Sequence, residues 1–215
     1  MKRIQVWDLP TRLFHWALVI AVALSAYSAF EDKFGVWAKV HLYAGLTILG
    51  LILWRLVWGF IGSETSRFSH FLKGPKAVAA YARQADAGAH VGHNPVGGWS
   101  VVAMLVVTFA QAALGLFATD DMFFSGPLAS KIDGGMTGTI TEIHEVLGFT
   151  LFGLIGLHVA AVLYYRIVKR VDLVRPMVTG SRDVAPETKE PARRHGLWAI
   201  VSALLIGGGV AYFSL

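Results

Sequence analysis

The chain has 215 residues, of which 55% are hydrophobic, 12% aromatic and 15% charged. Its mean hydropathy is +0.56, and its charged fraction is well below the roughly 25% of soluble domains. This composition indicates an integral membrane protein. The chain has no cysteine, which excludes disulfides, thiolate metal sites and cofactors attached through cysteine.

Five apolar stretches are long enough to cross a bilayer, whose core needs about 20 helical residues. Because an isolated strand cannot satisfy its backbone in lipid, each stretch is predicted to be a transmembrane helix. The start, MKRIQVWDLPTRLFHW, has polar residues and no small-residue cleavage site, so the first span is expected to be retained. The predicted spans are residues 13–30, 37–61, 97–118, 139–168 and 196–214.

Basic residues concentrate on one side of these spans. With the N-terminus in the cytoplasm, 16 of the 19 Lys and Arg residues lie inside, and Lys33, Lys39 and Lys131 lie outside. This bias predicts a multi-pass membrane protein with its N-terminus in the cytoplasm and its C-terminus on the outer side. The net charge of +5 is explained by topology and by contact with lipid, and no nucleic-acid partner is expected.

The loops divide the chain further. The 62–96 loop contains SRFSHFLKGPKAVAAYARQ, which is typical of either an interfacial amphipathic helix or a solvated loop. Residues 1–178 are predicted to form the main membrane domain, and 179–195 a cytoplasmic linker. Residues 196–215 form an additional transmembrane helix in this interpretation.

Four histidines lie inside the spans, where an ionisable side chain is costly and suggests function. Two of them, His144 and His158, belong to TEIHEVLGFTLFGLIGLHVAAVLYY in the fourth span. A separation of fourteen residues places them about 40° apart around a helix and about 21 Å apart along it. Both imidazoles therefore face one side of the helix at opposite depths.

The other two histidines match these depths. His15 begins the first span on the cytoplasmic side, and His41 begins the second span on the outer side. Depth therefore pairs His15 with His158 and His41 with His144. Two histidine pairs, each bridging two helices, match two bis-histidine haem sites stacked across the membrane.

Neighbouring residues fit this interpretation. Gly45 and Gly148 each follow an outer histidine by one turn, where a missing side chain leaves room for a flat macrocycle; packing between helices is the alternative. Arg55 lies fourteen residues after His41, so it is expected on the same helix face near the inner haem. A haem propionate is its expected partner, and Arg12 is a second candidate. Snorkelling to lipid phosphates is the alternative for both arginines.

These features resemble the bacterial di-haem cytochrome b561 family, which includes the b-type cytochrome subunits of nickel–iron hydrogenases. The resemblance covers about residues 5–178. It is carried by VWDLPTRLFHW with His15, by VHLYAGLTILGLILWRL with His41 and Arg55, and by IHEVLGFTLFGLIGLHVAAV with both remaining histidines.

The resemblance implies an all-α integral membrane protein, a four-helix bundle that holds two b haems, with the fifth helix added at the C-terminus. Its haem ligands are carried over to His15, His41, His144 and His158. The family's function implies electron transfer between quinone and a periplasmic c-type cytochrome or hydrogenase-like oxidoreductase subunit. His93 and Asn94, in HNPVGG, are candidate quinone residues, although Asn and Pro also begin helices well.

Other functions remain open at this point. Asp120, Asp121 and Asp133 are candidates for docking a basic cytochrome. The same scaffold would serve a superoxide:quinone oxidoreductase, with Lys33 and Lys39 attracting the anion to the outer haem. A third reading makes the histidines ligands in a metal or proton transporter, but no chain of carboxylates within the spans supports it.

Overall fold

The computed structural model describes residues 1–31, 35–83, 90–120 and 122–214. Lys33 and Asp121 therefore lie outside the described residues. Over the described residues the chain is mostly helical. Its elements in chain order are β1 (Lys2–Gln5), α1 (Leu9–Ala29), α2 (Val36–Ile61), α3 (Phe68–Phe71), α4 (Pro75–Arg83), α5 (Pro95–Gly115), α6 (Gly134–Ile167), α7 (Val174–Thr179), β2 (Ser181–Val184) and α8 (Gly196–Ser214).

Among the described residues, four helices, α1, α2, α5 and α6, are long and apolar enough to cross a membrane. This confirms the first four predicted helices to within a few residues at each end. The 34 residues of α6 exceed the length that a bilayer core requires, so this helix tilts or extends beyond the core. The apolar helix α8 has 19 residues, and its role as a fifth span stays a prediction, as do the domain boundaries.

The chain divides into two compact units. The first consists of Met1–Phe14, Arg55–Ala103 and Ile155–Ser202, and the second of His15–Trp54, Met104–Leu154 and Ala203–Leu215. Each unit takes segments from several membrane helices, so neither is a continuous stretch of sequence. The first holds α3, α4, α7 and both strands, and the second holds the loop between α5 and α6.

A two-stranded antiparallel sheet lies in the first unit. Strand β1 pairs with β2 so that Lys2 faces Val184 and Gln5 faces Ser181. Ile4 is buried on this sheet, in a small apolar cluster with Val6 and Trp7. The segment predicted as a linker therefore contains a strand that binds the start of the chain.

Polar side chains fix the beginning of α1. The Asp8 carboxylate accepts a hydrogen bond from the Thr11 backbone N–H at 2.8 Å and another from Trp58 Nε1 at 3.2 Å. The Thr11 hydroxyl lies 2.7 Å from the Ser66 hydroxyl, and Thr65 Oγ1 donates to the Val6 carbonyl at 2.6 Å. Asp8 thus acts as an N-cap and also fastens the helix start to α2.

Helices and hydrogen bonds organise the described parts of the 62–96 loop and of the outer 119–138 loop. In the 62–96 loop, α4 forms a helix within the stretch for which a helix and a solvated loop were the two alternatives, and its place at the membrane surface stays a prediction. In the outer loop, the Asp120 carboxylate accepts from the backbone N–H groups of Met122, Phe123 and Phe124 at 2.8–3.1 Å. Asp120 is therefore a turn-forming residue, and its role in docking stays a prediction.

Replacing Asp8 tests the anchoring of α1. In Asp8→Ala, the helix loses its cap and the buried Trp58 indole N–H loses its acceptor, which together cost about 2–3 kcal/mol of folding free energy. We expect a lower midpoint of thermal denaturation in detergent, measured at one scan rate. Asp8→Asn keeps an acceptor oxygen and is expected to lose less, so equal midpoints for wild type and Asp8→Ala would contradict this anchoring.

Candidate functional site

Within the second unit, the structure brings His41 of α2 together with His144 of α6. Their ring centres are 6.3 Å apart and their planes are nearly perpendicular, at 81°. An imidazole nitrogen binds a metal at about 2 Å and lies about 1 Å from the centre of its own ring, so two rings sharing a metal have centres about 6 Å apart. The separation of His41 and His144 therefore suits a single shared metal ion.

Main-chain carbonyls orient both rings. His41 Nδ1 lies 3.0 Å from the Ser25 carbonyl, and His144 Nδ1 lies 3.0 Å from the Gln111 carbonyl. Because a carbonyl only accepts, each Nδ1 carries the proton and each Nε2 keeps its lone pair. This is the arrangement in which a ligating histidine donates its second ring N–H to the protein.

The space around this pair is shaped by glycine. A Cβ placed on Gly115 would lie 2.9 Å from His144 Cε1, so only glycine allows the ring to approach α5 this closely. A Cβ on Gly45 would meet no atom within 4 Å, which leaves open space beside α2 as expected for a macrocycle. At Gly148, a Cβ would lie 3.4 Å from Gln111 Nε2, so this glycine instead makes room for the amide.

The donor set suits a haem better than a bare ion. Among the described residues, no group of three or more His, Cys, Asp or Glu side chains is placed to hold a metal. A bare structural metal ion usually takes four protein ligands, whereas a haem iron needs only two axial ligands because the macrocycle supplies the others. Two imidazoles with ring centres 6.3 Å apart, beside the open space at Gly45, therefore fit a haem.

The other two histidines are less defined. His15 and His158 are both partly buried, and the His15 ring packs edge-on against Trp16 with ring centres 5.1 Å apart. They fall in different compact units, and their pairing stays a prediction.

Arg55 is buried in the first unit, with 3% of its surface exposed. Its Nη2 donates to the Ser66 carbonyl at 3.0 Å, and its guanidinium lies 5.4 Å from the centre of the Phe68 ring. Phe68 reaches this position because Gly59 has no side chain, since a Cβ there would overlap the Phe68 ring. Arg55 Nη1 is buried without a hydrogen-bond partner among the described residues, so it is available to an anion.

Arg12 has a protein partner. Its Nη1 donates to the Val178 carbonyl at 2.6 Å, which fastens the start of α1 to α7. Two hydrogen bonds from the backbone N–H groups of Val6 and Trp7 to the Gly180 carbonyl hold the same junction. This gives Arg12 a structural role, while its contact with a haem propionate stays a prediction.

His93 and Asn94 lie side by side in sequence but in different environments. The His93 ring packs between Trp7 and Phe71, with ring centres 4.8 and 4.7 Å away. Burial, followed by the positive charge of Arg55, lowers the pKa of His93 to about 3. Asn94 Oδ1 accepts from the Gly97 backbone N–H at 2.7 Å, so Asn94 caps α5, as the alternative interpretation of this motif proposed.

Three residues that were not predicted contact these candidate residues: two tyrosines near Asn94 and a glutamine near His144. Asn94 Nδ2 donates to the Tyr165 hydroxyl at 3.0 Å, and that hydroxyl lies 2.7 Å from the Tyr81 hydroxyl. In the second unit, Gln111 Nε2 lies 3.2 Å from His144 Nε2. A long amide in the otherwise apolar α5 was a visible signal, whereas nothing in the sequence connected the two tyrosines.

The four apolar helices and the neighbouring imidazoles of His41 and His144 define a multi-pass membrane protein with a site suited to haem. The chain matches the prokaryotic cytochrome b561 family over residues 6–180 and belongs to that family. It is therefore a membrane b-type cytochrome that functions in electron transfer. No curated protein and no solved structure matches the chain.

Gly115 provides a test of the outer site. In Gly115→Ala, the new methyl group would lie 2.9 Å from the His144 ring. The ring cannot move away freely because His144 Nδ1 is hydrogen-bonded to the Gln111 carbonyl. We expect a lower content of one haem or a shifted midpoint potential for it, measured by redox titration. Gly153→Ala is the matched control, because a Cβ there meets no atom within 4 Å. Identical redox titrations for the two variants would contradict the assignment of His144 as a haem ligand.

The pKa of His93 predicts a pH dependence of stability. In the unfolded chain this imidazole titrates near 6.5, and in the folded protein near 3. Between these values the unfolded state binds one more proton, so stability falls as pH falls, by at most about 1.4 kcal/mol per pH unit. His93→Phe is expected to flatten the decline in unfolding midpoint between pH 7 and pH 5, whereas replacing the exposed His195 with Phe is not. A decline unchanged in His93→Phe would refute this account.

Proposed function

We propose that this chain is a di-haem cytochrome that carries electrons across the bacterial inner membrane, between the quinone pool and a periplasmic redox partner. The observation that carries the proposal is the pair formed by His41 and His144, with ring centres 6.3 Å apart and each Nδ1 fixed by a carbonyl. When bound, a haem supplies an iron that accepts and releases one electron. The protein residues hold it, orient its ligands and keep water away.

The second haem is assigned to His15 and His158 on the cytoplasmic side. The support is the spacing on α6, where His158 follows His144 by fourteen residues, or about 21 Å along the helix. Arg55 is the proposed partner of a propionate, since it is buried and its Nη1 has no hydrogen-bond partner among the described residues. Arg12 is a second, weaker candidate because its Nη1 is already bound to Val178.

The quinone is proposed to bind on the cytoplasmic side, near His93 and Asn94. A quinone carbonyl accepts hydrogen bonds, and the hydroxyls of Tyr81 and Tyr165 are linked to Asn94 here. His93 is neutral at physiological pH because its pKa is low, so it accepts or donates a hydrogen bond without carrying charge. These four residues are the proposed contacts of the quinone ring.

The periplasmic partner is proposed to be a c-type cytochrome or a hydrogenase-like oxidoreductase subunit. The orientation that follows from the basic residues puts the outer haem and the 119–138 loop on the periplasmic side. In the same proposal, residues 1–178 form the haem domain, 179–195 the cytoplasmic linker and 196–215 a fifth transmembrane helix.

Single histidine variants test the haem assignment. We expect two haems per chain in the purified protein, measured by pyridine haemochrome assay and redox titration. His41→Ala and His144→Ala are each expected to lose the same haem, because two axial ligands hold each iron. His15→Ala and His158→Ala should lose the other haem, and exposed His195→Ala should keep both.

Two results would overturn this assignment. One is a purified protein without b-type Soret and α bands. The other is loss of the same haem from His41→Ala and from His15→Ala, which would break the predicted pairing.

A further inference from the structure

A pocket of about 350 Å³ lies in the first unit where α2 ends, beside the segment that leads into α8. Three arginines line it, Arg67, Arg193 and Arg194, together with a single carboxylate, that of Glu64. None of these residues belongs to the proposed haem or quinone sites. The pocket therefore has an excess of positive charge that electron transfer does not explain.

Backbone hydrogen bonds build this pocket. The Glu64 N–H donates to the Ala192 carbonyl at 2.9 Å, and the Ala192 N–H donates to Glu64 Oε2 at 2.7 Å. The Arg194 N–H donates to the Ser63 hydroxyl at 3.0 Å. Residues 192–194 are thus fastened to the end of α2, so the arginines are presented by a fixed stretch of chain.

The guanidinium groups differ in their existing partners. Arg193 donates to Gln5 Oε1 at 2.5 Å and lies 3.7 Å from the Glu190 carboxylate. Arg67 Nε is buried without a hydrogen-bond partner among the described residues. The Arg194 guanidinium lies 5.5 Å from the centre of the Trp198 ring. Arg67 and Arg194 are therefore the two groups available to an anionic ligand.

Glu64 does not cancel this charge. The hydrogen bond from Ala192 is the main cause that lowers the pKa of Glu64, with smaller contributions from His70, Lys189 and Arg67. The carboxylate is ionised, but its negative charge is already shared with the Ala192 N–H and with His70 Nε2 at 3.6 Å. Arg193 is already paired with Glu190, and the remaining two guanidinium groups, of Arg67 and Arg194, against the occupied Glu64 carboxylate leave a site that favours an anion.

The rim of the pocket is apolar. Phe60 is 74% exposed and Ile61 38% exposed, and both lie at the end of a helix long enough to cross the membrane. Trp198 is 50% exposed at the start of apolar α8, the position typical of aromatic residues at a lipid–water interface. A ligand that fits here combines an anionic head with an apolar tail.

We propose that this pocket binds the phosphate of an anionic phospholipid, with Arg67 and Arg194 on the phosphate and Phe60 beside an acyl chain. Basic pockets on the cytoplasmic side of membrane proteins suit such headgroups. The proposal does not depend on the haem ligands or on quinone binding. A free phosphate shares the charge but lacks the chain, so the test separates these two sources.

The experiment uses the full haem-loaded chain, purified in detergent and delipidated. Lipid is then added, and the lipid that stays bound is counted by native mass spectrometry. Phosphatidylglycerol is compared with phosphatidylcholine, which has the same chains but no net charge. We expect one phosphatidylglycerol retained per chain in preference to phosphatidylcholine. Because each arginine near a lipid headgroup changes affinity by about fivefold, Arg67→Gln/Arg194→Gln should weaken retention by more than tenfold.

A second arginine cluster supplies the matched control. Arg175 lies in a smaller pocket of about 200 Å³ that also contains Arg170 and Arg182. Arg175→Gln removes one positive charge, as the single variant Arg194→Gln does, and it leaves the proposed site untouched, so lipid retention should not change. Equal loss of lipid in Arg175→Gln would show a nonspecific charge effect and would overturn the proposal.

Two further measurements guard against misfolding and against a free anion. Arg194→Gln alone changes an exposed side chain, and it should weaken phosphatidylglycerol retention while both haem bands remain. The emission of Trp198 is obtained as the difference between the wild type and Trp198→Phe. Brominated phosphatidylglycerol should quench this emission more strongly than brominated phosphatidylcholine does. No difference between the two lipids, or displacement of the lipid by millimolar inorganic phosphate, would overturn the proposal.

Discussion

The structure depends on one constraint, which is that each polar group inside the membrane must find a partner within the protein. An imidazole has two nitrogens, so a histidine that offers one of them to a metal must have the other satisfied nearby. The carbonyls of Ser25 and Gln111 do this for His41 and His144. Both carbonyls belong to membrane helices, so the backbone itself selects the tautomer in which Nε2 keeps its lone pair. In His144 that lone pair faces the Gln111 amide at 3.2 Å.

The same constraint organises the first unit. Arg55 is a buried cation, and its surroundings include the Ser66 carbonyl, two aromatic rings and the nearby charge of Asp8. Asp8 in turn receives the Trp58 indole N–H and the first turn of α1. The Asp8 carboxylate therefore caps α1, accepts from the buried Trp58 and faces the charge of Arg55. The position of Arg55 thus depends on the start of α1.

Hydropathy predicted the membrane helices because lipid leaves so few alternatives for an apolar stretch. It placed the start of the first helix at 13, whereas α1 begins at Leu9, because its first turn carries polar Thr11 and Arg12 that a hydropathy pattern excludes. Helical periodicity predicted that Arg55 points inward on the face of α2 that carries His41, and its burial agrees with an inward side chain rather than with snorkelling. The sheet was missed because KRIQ and SRDV are short and polar, and their pairing across nearly the whole chain has no local signal. The Tyr81–Tyr165 contact was missed for the same reason.

The pairing of β1 with β2 has a consequence for where the haem-binding part of the chain ends. Residues 181–184 lie beyond the last residue of the family resemblance, yet they provide the hydrogen-bonding edge for Lys2–Gln5, and the Gly180 carbonyl holds Val6 and Trp7. A chain shortened at residue 178 would leave Ile4 without its neighbouring strand and Arg12 at a frayed terminus. Residues 2–7 and 180–184 therefore hold each other in place, so the packing around the start of α1 depends on residues beyond the last long membrane helix.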